Sequence, residues 1–154
     1  MRVDLITKII LSKKRAILTT LFVAYILIVL NLTIVRWGFR YDERQLNLIP
    51  FVKLITTFKK AGISEFLRLF LGNMGWFFPF GFLLPTIMEK EKRGFTVIFS
   101  GFIFSLSIEI IQFFTRKGVA ELDDVILNTL GTAVGYLSCM LLFRLLFVKK
   151  GYRL

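Results

Sequence analysis

Histidine is absent from the 154-residue chain, and cysteine occurs once, at Cys139. These counts exclude a Ser-His-Asp triad, a Cys-His dyad, a zinc site of the usual nitrogen and sulfur type, and an intrachain disulfide. Acidic residues are scarce too: 10 Asp and Glu face 21 Lys and Arg, giving a formal charge of +11 and a pI near 10.2. Such a surplus would normally suggest nucleic acid. Here 56% of the residues are apolar, 18 are Phe, and mean hydropathy is +0.72. The basic residues must therefore flank apolar runs rather than coat a soluble core. A cytosolic domain and a nucleic-acid partner are excluded on this reading, and the length allows one domain, over 1–154.

What the chain does have is long uncharged runs. Crossing about 30 Å of hydrocarbon takes about 20 helical residues. Four runs qualify: Ala16 to Val35, Leu69 to Met88, Phe95 to Thr115 with Glu109 as its one charge, and Val125 to Phe143. The first is longer than the roughly 7 to 15 residues of a signal-peptide core and no small-x-small site follows it, so it reads as a retained anchor. The fold class is all-α and polytopic, with four transmembrane helices in the lipid bilayer. The cytoplasmic membrane is the expected location.

Orientation follows from Lys and Arg near span ends. The N-terminus, second loop and C-terminal tail hold 12, against 9 in the first and third loops. The KKR run at 13–15, the EKEKR loop at 89–93 and the RLLFVKK tail at 144–150 outweigh the acidic third loop, so both termini are expected in the cytoplasm. Within the first loop, Lys53, Thr57, Lys60, Ser64 and Arg68 recur at helical spacing opposite Phe51, Ile55, Phe58 and Phe66. This pattern predicts an amphipathic interfacial helix over about 50–68, with Pro50 suited to its first turn.

Successive spans run in opposite directions, so the start of span two, the end of span three and the start of span four share one face. There the unusual polar residues gather: Asn73; Glu109, Gln112 and Arg116; Asp123, Asp124 and Asn128. By the charge count this is the outer face. Glu109, Gln112 and Arg116 form one stripe at i, i+3 and i+7, and a lone carboxylate facing lipid would cost roughly 2.5 to 3.5 kcal/mol or more, so Glu109 should face the bundle interior. It is either a general acid or base or a cation ligand, or a structural carboxyl holding spans two, three and four together through Asn73 or Asn128. Adjacent Asp123 and Asp124 point about 100° apart on a helix; one is expected to cap span four and the other to line a cleft with Glu109. Glu109, Asp123 and Asp124 are the catalytic candidates. No metal and no cofactor is expected. Pro79 should kink span two, and Gly131 and Gly135 form a small-xxx-small face for a close helix neighbour.

Four motifs stand in order: NLIPF at Asn47 to Phe51, NMGWFFPFG at Asn73 to Gly81, SLSIEIIQ at Ser105 to Gln112, and ELDDVILNTLG at Glu121 to Gly131. Together they resemble the VanZ-like family, over roughly Asn47 to Tyr136. The resemblance implies a small polytopic membrane protein; the family's founding member is associated with low-level resistance to teicoplanin and related lipoglycopeptides, without cell-wall precursor remodelling. The family's recurring polar residues carry over by position onto Asn47, Asn73, Glu109, Gln112, Asp123, Asp124 and Asn128. Glu121 departs from the pattern, where many relatives have Asp. Three functions remain open. The first is engagement of a lipoglycopeptide or of the lipid-linked cell-wall precursor it targets, with Arg116 in the ligand set. The second is an intramembrane enzyme acting on a phospholipid or polyprenyl phosphate, with Arg116 or Lys117 holding phosphate. The third is a scaffold that binds another membrane enzyme through the Gly131 and Gly135 face; a membrane protein partner or a homo-oligomer is the corresponding assembly.

Overall fold

The computed structural model describes residues 2–34, 40–88 and 94–148. Helix α1 spans Arg2–Ile34, strand β1 Gln45–Asn47, α2 Val52–Ile87, α3 Gly94–Thr115, β2 Val119–Glu121 and α4 Leu122–Val148. Among the described residues four helices are long and apolar enough to cross a membrane, and the chain is a multi-pass membrane protein. Val35, Arg36, the EKEKR loop at 89–93 and the tail from Lys149 onward, on which the orientation count partly rests, lie outside the described residues.

The interfacial helix leading into span two is shorter than expected. The non-helical backbone of α2 falls at Gly62, with φ 80° and ψ −176°, and the dihedrals stay helical through Pro79 and Pro85. A positive φ of this kind suits glycine, which has no Cβ to clash. A prolyl ring inside a packed membrane helix is tolerated because neighbouring groups re-satisfy the freed carbonyl. The break makes α2 a short arm, residues 52–61, followed by a membrane helix from Ile63. The interfacial helix is thus shorter than the predicted 50–68, and Arg68 lies beyond the break, paired with Glu65 at 2.7 Å. Pro50 precedes the helix instead of entering its first turn.

The most extensive contact is between α2 and α4, and glycines make it close. A Cβ placed at Gly131 would lie 2.8 Å from Met74 Cα; one at Gly135 would lie 3.0 Å from the Phe78 carbonyl carbon and from Phe82 N; one at Gly81 would lie 2.7 Å from the Thr132 carbonyl carbon. The predicted small-residue face is therefore filled by α2 of the same chain, which leaves it no surface for another protein. Helix α1 joins through Val29, which packs with Phe77 and Ile108, while the Tyr25 hydroxyl donates to the Trp76 carbonyl at 2.5 Å. Cys139 is buried in α4.

The sequence reading contained no strand, yet β1 and β2 pair in parallel, matching Gln45 to Val119, Leu46 to Ala120 and Asn47 to Glu121. Arg116 ends α3 in the left-handed region, at φ 58°. Its carbonyl accepts the Tyr41 N–H at 2.8 Å and its guanidinium donates to the Asp42 carbonyl at 2.8 Å. These contacts turn the chain back across the bundle end and bring the first and third loops together.

Candidate functional site

At that end of the bundle a cavity of about 730 Å³ opens between α1, α2, α3 and the β2–α4 junction. Its charged and amide lining comes from Lys53, Asn73, Gln112, Glu121 and Asp124, Thr33 and Tyr41 add hydroxyl-bearing side chains, and Trp76 helps form its apolar side. The five charged and amide groups arrive by four routes. The arm of α2 carries Lys53, the membrane part of α2 carries Asn73, the last turn of α3 carries Gln112, and the ladder leading into α4 supplies Glu121 and Asp124.

The charged core is Lys53 between two carboxylates. Its ammonium pairs with Glu121 Oε2 and lies 3.4 Å from Asp124 Oδ1. Asn73 Nδ2 donates to the same Asp124 oxygen at 2.6 Å. Burial pushes the Glu121 carboxyl above its ordinary range, and the Lys53 hydrogen bond and charge pull it back part of the way. Gln112 Nε2 donates to the Thr33 carbonyl at 3.0 Å, joining the ends of α3 and α1.

The other expected site residues lie outside this cavity. Glu109 is buried as expected, but it is tied to neither asparagine: its Oε2 accepts the Glu121 backbone N–H at 2.9 Å, fastening β2 to α3. Asn128 donates to Ser105 Oγ at 2.9 Å, a buried bond between α4 and α3. Asn47 sits in β1, where its Oδ1 accepts the Ile49 N–H at 3.4 Å. Arg116 is past the end of α3, so the stripe of Glu109, Gln112 and Arg116 splits three ways.

The two aspartates diverge as their spacing dictates. Asp124 faces the cavity, whereas Asp123 accepts the backbone N–H of Phe51, itself left-handed at φ 65°. The second Asp123 oxygen is buried and has no hydrogen-bond partner among the described residues. Helix α4 begins at Leu122, so both acids lie in its first turn and neither precedes the helix as the predicted cap. There they still complement the helix dipole. Glu109 lines a second, apolar cleft of about 280 Å³ on the other side of Glu121.

Sequence reasoning left Lys53 and Glu121 out of the ligand set. Lys53 was legible only as one cation on an amphipathic face, although it lies two residues beyond the NLIPF motif. Glu121 was visible as the first acid of ELDD. What joins them is the parallel ladder, which no local pattern announces.

The family model described as VanZ/LLP1 matches residues 22–144. Protein VanZ of Enterococcus faecium is 36% identical over 98 residues, covering 63% of this chain and 53% of that protein. The chain thus spans about half the length of this curated relative. No solved structure matches the chain.

Proposed function

The chain belongs to the VanZ/LLP1 family, and from that premise we propose that it lowers susceptibility to teicoplanin and other lipoglycopeptides, acting at the outer face of the cytoplasmic membrane without cell-wall precursor remodelling. The observation that carries the proposal is the family match over residues 22–144, which encloses every group lining the polar cavity. With both termini in the cytoplasm, that cavity lies at the outer leaflet. A lipoglycopeptide partitions there through its acyl chain, at about 0.8 kcal/mol per buried methylene, and an unacylated glycopeptide lacks the anchor. The ligand is the acylated drug or the lipid-linked wall precursor that it targets. Glu109 and Asp124 line different spaces, so an acid–base pair acting on one substrate is not the reading this geometry favours.

The test is the growth-inhibitory concentration of teicoplanin and of vancomycin in a susceptible Gram-positive host, with wild type or Asp124→Asn at matched membrane levels. Selective protection against teicoplanin, lost in the variant, is the expected result. Equal protection against both drugs, or none, refutes the proposal. Cysteine labelling from either side of the membrane at position 43, beside the cavity end, tests the orientation independently.

A further inference from the structure

Arg44, Leu46 and Leu48 alternate along β1 and the residues flanking it, so extended geometry turns all three to one side. Leu46 and Leu48 wall the apolar cleft of about 280 Å³, and the Arg44 guanidinium carbon lies 5.7 and 5.6 Å from the ring centroids of Phe113 and Phe114, which wall the same cleft from α3. Two glutamates border the cleft without making it polar, because Glu109 Oε2 is turned to the Glu121 N–H and Glu121 Oε2 to Lys53. The α3 wall of Leu106, Ile110, Phe113 and Phe114 follows one face of the helix for about 12 Å back from its end at Thr115. The cleft therefore descends from the membrane surface toward the bilayer interior, and it opens sideways to lipid where Ile110 and Phe114 are exposed. Its mouth is cationic: Arg44 and Arg116, with Glu43, line a recess of about 480 Å³. Arg44 is exposed and has no ion pair among the described residues, while Arg116 donates to the Asp42 carbonyl with one of its five N–H groups.

We propose that this recess and cleft hold one anionic phospholipid of the surrounding bilayer, its phosphate on Arg44 and Arg116 and one acyl chain along α3. Arg44 joins the two parts, since it lines the recess and lies on the rings that wall the cleft. A guanidinium fork matches phosphate oxygens in geometry as well as charge. Two arginines and one glutamate leave the recess a single positive charge, the complement of a singly charged phosphodiester. A peptide segment is a poorer occupant, because its backbone polar groups would find no hydrogen-bonding partner on the cleft walls. The site goes beyond the resistance function proposed above and does not rest on it.

The experiment uses the full chain in phosphatidylcholine nanodiscs containing a trace of phosphatidylglycerol with a diazirine at the middle of one acyl chain, or of phosphatidylcholine bearing the same chain. After illumination, labelled positions are mapped by mass spectrometry. The expected result is labelling of Leu106, Ile110 and Phe113 by the phosphatidylglycerol probe in excess over the phosphatidylcholine probe, with the excess removed by unlabelled phosphatidylglycerol. Arg44→Gln should lower that excess at least about tenfold, as for loss of one charge-assisted hydrogen bond. Lys60→Gln removes the same charge from an exposed position on the arm of α2 and should leave the excess intact. Ile110→Trp, which fills the cleft, should abolish labelling of Leu106 and Phe113 by the phosphatidylglycerol probe. Equal labelling by the two probes, or labelling spread over exposed Leu27 and Leu137 as well, would show bulk lipid only and overturn the proposal. An equal loss in Lys60→Gln and Arg44→Gln would overturn it by assigning the preference to the diffuse charge of the chain. An excess that survives Ile110→Trp would overturn it too, since the chain would then lie outside the cleft.

Discussion

Replacing Gly131 with alanine should loosen the bundle, whereas the same change at Gly75 should tighten it. A Cβ at Gly131 meets the Met74 backbone at 2.8 Å from Cα, against the 3.4 Å at which ordinary contact begins. The obstacle is main chain in α2 and cannot turn aside as a flexible side chain would. Relief requires α2 and α4 to separate, and the same interface is pinned by Gly135 against Phe78 and by Gly81 against Thr132. Overpacking of this kind costs about 1–3 kcal/mol, and the rigid obstacle puts Gly131→Ala at the upper end. At Gly75 a Cβ meets nothing within 4 Å, so alanine only removes glycine's backbone freedom and should stabilise by roughly 0.5–1 kcal/mol. Reversible denaturation in mixed micelles, followed by tryptophan fluorescence, reads both. Equal effects for the two variants, or a stable Gly131→Ala, would refute the direct α2–α4 crossing.

Further substitutions separate frame from lining. Glu109→Gln keeps a carbonyl oxygen for the Glu121 N–H and should fold normally, while Glu109→Leu leaves that donor unpaired at a cost of about 1–3 kcal/mol, measurable by the same denaturation assay. Asn128→Ala removes the bond to Ser105 and should cost about 0.6 kcal/mol, the average for polar contacts between membrane helices, and no more than about 1.7 kcal/mol. Lys53→Met removes both influences of Lys53 that lower the Glu121 pKa, so that pKa should climb further above its ordinary value of 4.5. A carboxyl whose folded pKa is raised holds its proton more tightly in the folded state, so stability should fall as pH rises from 4.5 through the folded value. Melting curves of Lys53→Met across that window, compared with Lys53→Met/Glu121→Gln, check the sign; identical pH dependence in the two would assign it to another group.

The parts of this architecture that were legible in the sequence are those that depend on one segment at a time. Four apolar runs predict four helices because the bilayer sets the length of each. The Gly131 and Gly135 spacing announces a close partner without saying which helix it is. The clustering of polar groups at one bundle end follows from alternating span direction alone. Contacts between loops far apart in sequence were not legible. Pairing of residues 45–47 with 119–121 depends on the turn at Arg116 and on bonds from Tyr41 and to Asp42, and none of these carries a strong local pattern. For the same reason the interfacial helix was predicted too long. Its polar face continues past Gly62 to Ser64 and Arg68, and only the backbone conformation shows that the helix breaks there.

That ladder also explains why residues of one motif have unlike roles. In ELDDVILN, Glu121 and Asp124 face the cavity, Asp123 receives the Phe51 N–H, and Asn128 bonds to α3. Asp123 and Glu109 each accept a backbone N–H from the segments that carry Lys53 and Glu121, so they fix where the Lys53–Glu121 pair stands without lining the cavity themselves. A substitution in this second group acts on the cavity by displacing its walls, and its effect on any ligand should track its effect on stability. A substitution of Asp124, Asn73 or Lys53 acts on the lining directly, so its effect on a ligand should exceed what stability accounts for. Measuring both quantities across the motif therefore distinguishes the groups that build the site from those that meet its occupant.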